Sequence, residues 1–169
     1  MNTSVNFITC DLLDDNSDKA IWVLSPLLDG KPLRQYGGVH SFGGRIVTVK
    51  CHEDNSRVKE LLATDGTGKV LVVDGGGSLR CALMGDMIAQ SAADNGWAGV
   101  IIYGAVRDVD AIATMNLGVM ALASTPQKST RKGVGETGVD LCFGGITLCD
   151  GHYIYADNNG VIVCQTALV

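Results

Sequence analysis

The chain has 169 residues, 46% of them hydrophobic, with a formal net charge of −5. This length predicts a single domain over residues 1–169, and the apolar content excludes extensive disorder. No basic patch supports direct nucleic-acid binding, and no apolar run approaches the ~20 residues of a membrane span. We therefore expect a soluble, cytoplasmic protein.

The first half of the chain predicts a helix followed by strands and helices in alternation. Turn-forming glycines and prolines break up the segment between the first two strands. The predicted helices cover 3–13, capped by Thr3 or Ser4, and a segment that opens at 53–56. The predicted strands cover 21–24, 45–50 and 69–74.

The second half continues the alternation and then changes to strands alone. It predicts helices over 84–95 and 109–116 and strands over 98–103 and 117–123. Four short strands follow, over 139–143, 146–148, 153–155 and 161–165, with turn signals at Asp150-Gly151 and Asn159-Gly160. The predicted fold class is α/β, with a βαβα core followed by a β-meander.

Six cysteines are spread along the chain, and none forms a Cys-x-x-Cys pair. Most lie in apolar, strand-like segments. We expect buried, reduced thiols, as is usual in cytosolic proteins.

Three charged residues follow the central predicted strands and form the candidate site. Asp86 lies at the start of the helix over 84–95, and Arg107 and Asp108 follow the strand over 98–103. The twenty residues between Asp86 and Arg107 are enough for one helix and one strand. Because ligands bind at the carboxyl ends of strands in open α/β sheets, we expect these side chains to meet there.

The residue types at this site suit an anionic substrate and a divalent cation. Free N–H groups at a helix start can hold a carboxylate, and Arg107 can grip the same anion in a bidentate manner. Asp108 can bind a hard cation, since one protein carboxylate, waters and a chelating substrate often hold Mg²⁺.

Other motifs give weaker signals. The segment Gly75-Gly76-Gly77-Ser78 fits a structural turn and a ligand loop equally well. The segment Gly66-Thr67-Gly68-Lys69 lacks the remaining residues of a nucleotide P-loop. The sequence also leaves open two other catalytic arrangements, a Ser/His/Asp triad and a Schiff-base lysine, although no Gly-x-Ser-x-Gly motif is present.

Four segments, 41–55, 70–78, 100–108 and 155–160, resemble the RraA family, and the resemblance covers nearly the whole chain. That family is named for its regulator of ribonuclease E activity. It also contains the class II 4-hydroxy-4-methyl-2-oxoglutarate aldolases, which decarboxylate oxaloacetate as well. The resemblance implies a swivelling β/β/α domain and a ring-shaped homotrimer with sites between subunits.

The resemblance also implies roles for the candidate residues. In the aldolase branch, an Asp is followed after twenty residues by Arg-Asp, as in this chain. Gly85, Asp86, Met87, Ile88 and Arg107 would then bind a 2-oxo acid, and Asp108 would bind Mg²⁺ or Mn²⁺.

Two functions follow from the family. The first is a metal-dependent lyase that passes through a pyruvate enolate, with Asp86 and Arg107 catalytic. The alternative is a protein regulator that binds and inhibits a ribonuclease E-type endonuclease, and the segments 144–147 and 155–158 are nearer to that branch. No S-adenosylmethionine-binding pattern is present, which argues against a methyltransferase.

Overall fold

Four parallel strands form the centre of the molecule, and helices connect them. A computed structural model describes residues 6–169. The parallel strands, in spatial order, are β3 (Phe42–Lys50), β4 (Lys69–Asp74), β6 (Gly99–Val106) and β7 (Gly118–Ser124). The crossovers contain α2 (Ser56–Leu62), α3 (Asp86–Asp94) and α4 (Val109–Ile112). This is the predicted βαβα core.

The remaining elements are short. The chain enters through α1 (Thr9–Asp15), β1 (Ile21–Val23) and β2 (Arg34–Gln35), and β5 (Ala82–Met84) pairs with β6. The last third contains β8 (Glu136–Thr137), β9 (Leu141–Phe143), β10 (Ile146–Leu148), β11 (Tyr153–Asp157) and β12 (Gly160–Cys164). None of the helices between residues 6 and 169 has the length and apolar character that a membrane crossing requires.

The central sheet separates two apolar cores. On one face, Leu62, Ile88 and Trp97 belong to a cluster formed with the helices. On the other face, Leu24, Phe143 and Leu148 belong to a cluster formed by the other strands. Strands covered on both faces are apolar at nearly every position rather than at alternate ones, which explains the continuous Val/Ile runs. The result is a β/β/α arrangement, so the predicted fold class is confirmed.

The four C-terminal strands differ from the predicted β-meander. Strands β9 and β10 form a separate hairpin, while β11 pairs with β12 on one side and with β3 on the other. The segment around Asp150 explains the break, because its carboxylate accepts the Thr48 N–H over 3.0 Å and the Ile46 N–H donates to the His152 carbonyl over 2.7 Å. These bonds direct the chain onto β3.

Several predicted boundaries also change. The helix over 84–95 begins at Asp86, because residues 82–84 form β5, and the Arg107 N–H donates to the Met84 carbonyl over 3.0 Å. Strand β6 extends three residues past the predicted end. The N-terminal helix begins at Thr9, and the predicted caps Thr3 and Ser4 lie outside the described residues.

The cysteines are only partly as expected. All six are free thiols, and Cys51, Cys81 and Cys164 are buried, but Cys10 and Cys142 are exposed. Cys142 faces outward because β9 alternates, with Leu141 and Phe143 directed into the core.

Candidate active site

Arg107 and Asp108 leave the carboxyl end of β6 through an unusual backbone turn. Asp108 has φ 55° and ψ 40°, the left-handed conformation, and it precedes the first residue of α4. This conformation costs most non-glycine residues about 1–2 kcal/mol, and Asp and Asn are the side chains that adopt it most readily. The Ile112 N–H donates to the Asp108 carbonyl over 3.0 Å, which ties the turn to the helix. The fold thus holds the Asp108 side chain at the end of the sheet.

The start of α3 meets this turn directly. The Asp86 main-chain N–H donates to Oδ2 of Asp108 over 3.0 Å, and Nε of Arg107 lies 3.6 Å from the same oxygen. Gly85 has no side chain to separate them, since a Cβ there would lie 2.6 Å from Asp108 Oδ2. Four predicted site residues therefore come together, with the Asp108 carboxylate at the centre.

The first turn of α3 keeps two further donors available. No hydrogen-bond acceptor for the N–H groups of Met87 or Ile88 lies among residues 6–169. The Ile88 side chain is buried and fixes the helix to the core, whereas the Met87 side chain is 83% exposed. These amides suit an anion at the helix start.

An open cavity of about 390 Å³ adjoins the pair. Its walls are Arg107, Asp108, Val109, Ser124, Thr125 and Pro126. Nη1 of Arg107 donates to the Pro126 carbonyl over 3.3 Å, so the guanidinium is held between Asp108 and the segment after β7. Side-chain exposure of 37% for both Arg107 and Asp108 leaves them accessible to a small anion.

Asp86 is not among the residues that line this cavity. It lines a neighbouring groove of about 570 Å³ between α3 and α4, together with Gln90, Asp94 and Thr114. Only the main-chain N–H of Asp86 reaches Asp108 directly. The three expected site residues are thus divided between the linings of two cavities.

The ligand set for a metal contains one carboxylate. Across residues 6–169, no group of three or more His, Cys, Asp or Glu side chains has the arrangement of a metal site. Asp108 Oδ2 accepts the Asp86 N–H, and Oδ1 has no hydrogen bond to any described residue. A half-exposed carboxylate with a free oxygen fits a hard divalent cation whose other ligands are water and substrate.

Sequence reasoning missed Ser124, Thr125 and Pro126. Ser124 ends β7, the parallel neighbour of β6, and is paired with Val106, and Thr125 and Pro126 follow it. The sequence signal that could have found them is the position of this segment after the next predicted strand, because the carboxyl ends of neighbouring parallel strands share one edge of the sheet. The polar segment that follows 117–123 in the sequence could therefore have been included.

The glycine segment after β4 is a structural turn. The N–H groups of Gly75 and Gly77 both donate to the Tyr103 carbonyl, over 3.0 and 3.2 Å. The Tyr103 hydroxyl donates to Asp29, and this bond, together with burial, raises the pKa of Tyr103 to about 12. Ser78 Oγ donates to Glu53 over 2.7 Å. None of these residues lines the Arg107 cavity.

A larger cavity lies elsewhere in the molecule. It measures about 710 Å³ and lies beside the β9–β10 hairpin, with Trp22, Cys142 and His152 in its walls. It contains none of the predicted site residues. We place the chemistry at the smaller cavity, because the charged groups converge there.

Comparison with known proteins identifies the family. The profile of the RraA-like family, described as Aldolase/RraA, matches residues 9–163. A protein of Acinetobacter baylyi, provisionally named 4-hydroxy-4-methyl-2-oxoglutarate aldolase, is 66% identical over 169 residues, which is 100% of this chain and 99% of that protein. A provisionally named aldolase of Alcanivorax borkumensis is 56% identical over 98% of this chain and 100% of its own length.

Two solved structures share the fold. One, from Geobacillus kaustophilus, is named S-adenosylmethionine:2-dimethylmenaquinone methyltransferase and has 46% identity and a TM-score of 0.90, with 96% of this chain and 97% of that chain covered. The other is the RNA-processing inhibitor RraA from Thermus thermophilus, with 37% identity, a TM-score of 0.86 and coverage of 95% and 94%. This chain belongs to the RraA-like family.

Proposed function

We propose that this protein is a divalent-metal-dependent 2-oxo acid lyase, which cleaves 4-hydroxy-4-methyl-2-oxoglutarate and decarboxylates oxaloacetate. The observation that carries the proposal is the Asp108 carboxylate, held by the Asp86 N–H over 3.0 Å beside Arg107 in an open cavity. Relatives that match almost the whole chain and are provisionally named aldolases support it.

The substrate carboxylate binds to donors at the site. Arg107 has guanidinium N–H groups beyond the one given to Pro126, and the Met87 and Ile88 amides have no acceptor among the described residues. Charge-assisted hydrogen bonds of this kind are roughly twice as strong as neutral ones. We infer that these groups orient the 2-oxo acid with its keto oxygen towards Asp108.

Asp108 holds the cation in this proposal, and Mg²⁺ and Mn²⁺ are the expected ions. When bound, the cation supplies Lewis-acid stabilisation of the negative charge that the pyruvate fragment acquires, a contribution of several kcal/mol. The protein's part is to fix the ligand. The left-handed backbone at Asp108 and the Asp86 N–H keep its carboxylate at the cavity wall.

Asp86 takes part in proton transfer through a water molecule. In the retro-aldol direction, the C4 hydroxyl loses its proton, the C3–C4 bond breaks, and C3 of the pyruvate fragment gains a proton. Asp86 lines the groove next to the cavity. We propose that it orients the water that carries these protons, as a general acid and base.

Assembly completes the proposal. We expect a cytoplasmic homotrimer with sites between subunits, which would cover the open cavity and the exposed Met87 side chain. The mass of the assembly in solution, measured by light scattering, tests this expectation. A monomer with full activity would contradict it.

Regulation of a ribonuclease E-type endonuclease is the second candidate function. The 37% identity to a protein named RNA-processing inhibitor supports it, and the net charge of −5 suits basic segments of a partner. An RNA-cleavage assay with an Asp108→Ala variant separates the two functions. Inhibition that survives this change would assign the regulatory role to another surface.

The direct test of the enzymatic proposal is pyruvate release from both substrates. We expect turnover with Mg²⁺ or Mn²⁺, its loss in the presence of a chelator, and its recovery after the cation is restored. Turnover that is insensitive to the chelator would contradict a divalent-metal lyase.

A further inference from the structure

The Arg107 cavity contains two hydroxyl groups that the proposed mechanism does not use. Ser124 ends β7, and Thr125 follows it; both line the cavity that Asp108 also lines. Neither hydroxyl has a hydrogen-bond partner among the described residues, whereas the Thr130, Thr48 and Ser56 hydroxyls all do. They are therefore available to a ligand.

The backbone holds this pair rigidly in place. The Thr125 N–H donates to the Val106 carbonyl over 2.9 Å, and the Pro126 carbonyl accepts Nη1 of Arg107 over 3.3 Å. The backbone of Ser124 and Thr125 is thus held next to the group that binds the substrate carboxylate. A site of this kind can recognise a substituent on a particular carbon atom of the substrate by hydrogen bonding.

The two proposed substrates differ at the carbon atom that would contact Ser124 and Thr125. Each carries a carboxylate and a keto group at one end, which Arg107 and Asp108 would hold. Beyond C3, the aldol substrate has a C4 hydroxyl, whereas oxaloacetate has only the carboxylate that leaves as CO₂. Hydroxyl groups can both donate to and accept from such a C4 hydroxyl.

We propose that Thr125, assisted by Ser124, recognises the C4 hydroxyl and selects 4-hydroxy-2-oxo acids over 2-oxo acids that lack it. This inference rests on the proposed lyase function. A site that hydrogen-bonds a substrate hydroxyl discriminates against analogues without it, because its own polar group then loses a partner.

The test is the ratio of kcat/KM for 4-hydroxy-4-methyl-2-oxoglutarate to kcat/KM for oxaloacetate. Thr125→Val replaces the hydroxyl with a methyl group of similar size, and we expect the ratio to fall about tenfold, the value of one hydrogen bond. Thr125→Ser restores a hydroxyl and should bring the ratio back towards that of the wild type. Ser124→Ala should lower the ratio as well.

Thr137→Val is the matched control, because Thr137 lies in β8, is exposed, and has no side-chain hydrogen bond among residues 6–169. Its ratio should equal that of the wild type. Equal losses on both substrates in Thr125→Val, or an unchanged ratio, would overturn the recognition role while leaving the lyase function standing. A wild-type protein that cleaves neither substrate would overturn both.

Discussion

The main-chain N–H of Asp86 and the carboxylate of Asp108 are joined by a 3.0 Å hydrogen bond across 22 positions of sequence. This bond links the start of α3 to the turn after β6. It gives Asp86 two separate roles, one through its backbone and one through its side chain. Substitutions can separate them.

The side chain at position 86 should affect turnover without affecting the metal. Asp86→Asn removes the proposed proton carrier, and we expect kcat to fall about 10²-fold, the lower range for general acid–base catalysis. The dissociation constant of Mn²⁺ should stay the same, because the main-chain N–H still positions Asp108. Asp94→Asn is the control, since Asp94 lines the same groove. A large loss of Mn²⁺ affinity in Asp86→Asn would contradict this division of roles.

A side chain at position 85 should displace Asp108. In Gly85→Ala, the new Cβ would lie 2.6 Å from Asp108 Oδ2 and 3.3 Å from Arg107. We expect activity to fall by about 10²-fold, the cost of misplacing a reacting group by ~1 Å. The melting temperature should change little, because side chains can move aside. Gly104→Ala controls for the extra methyl group, since its Cβ would make only ordinary contacts, the shortest at 3.4 Å. Full activity in Gly85→Ala would show that Asp108 tolerates the shift.

Acid should destabilise the fold through Asp54. Although burial alone would raise the pKa of this carboxyl, hydrogen bonds from Ser56, Lys132 and Thr130 lower it to about 2. A lowered folded-state pKa gives stability that is present above the unfolded value of about 4 and is lost as the pH falls towards 2. Urea unfolding across this pH range should show a falling free energy of unfolding. In Asp54→Asn, the free energy of unfolding should fall less steeply with decreasing pH. Equal slopes in both proteins would assign the acid sensitivity to other groups.

Close packing at Phe42 should make two glycines sensitive to substitution. A Cβ at Gly99 or Gly118 would overlap the Phe42 ring. We expect Gly118→Ala to lower the free energy of unfolding by about 1–3 kcal/mol, as for other overpacked cores. In a Phe42→Leu background the added cost should shrink, because the smaller side chain leaves space. If the losses of unfolding free energy from Gly118→Ala and Phe42→Leu simply add in the double mutant, the contact with the Phe42 ring is not the cause.

Much of the fold follows from the sequence pattern. Strand β4 was predicted with its observed limits, and so was β10, because apolar runs and glycine-bearing turns mark their ends. The route of the C-terminal strands did not follow, since it depends on the Asp150 carboxylate reaching Thr48 over 102 positions. Long-range bonds of this type leave no local signal.

For the candidate site, the sequence predicts which residues meet but not how they are arranged around the cavity. Spacing predicts that Asp86, Arg107 and Asp108 meet, and the family resemblance adds Gly85; the structure places these four residues in contact. Spacing could not show that Asp86 would line a neighbouring groove rather than the Arg107 cavity, because its placement depends on where α3 begins. Position 84 was assigned to that helix, whereas it belongs to β5.

Metal-dependent turnover of an Asp108→Asn variant tests the central claim most directly. Asparagine tolerates the left-handed backbone at this position, so the turn should persist while the charge is lost. Asp110→Asn is the control, because Asp110 is exposed in the first turn of α4. The account predicts that Asp108→Asn loses Mg²⁺-dependent pyruvate release from oxaloacetate while Asp110→Asn retains it. Wild-type turnover in Asp108→Asn would contradict the account.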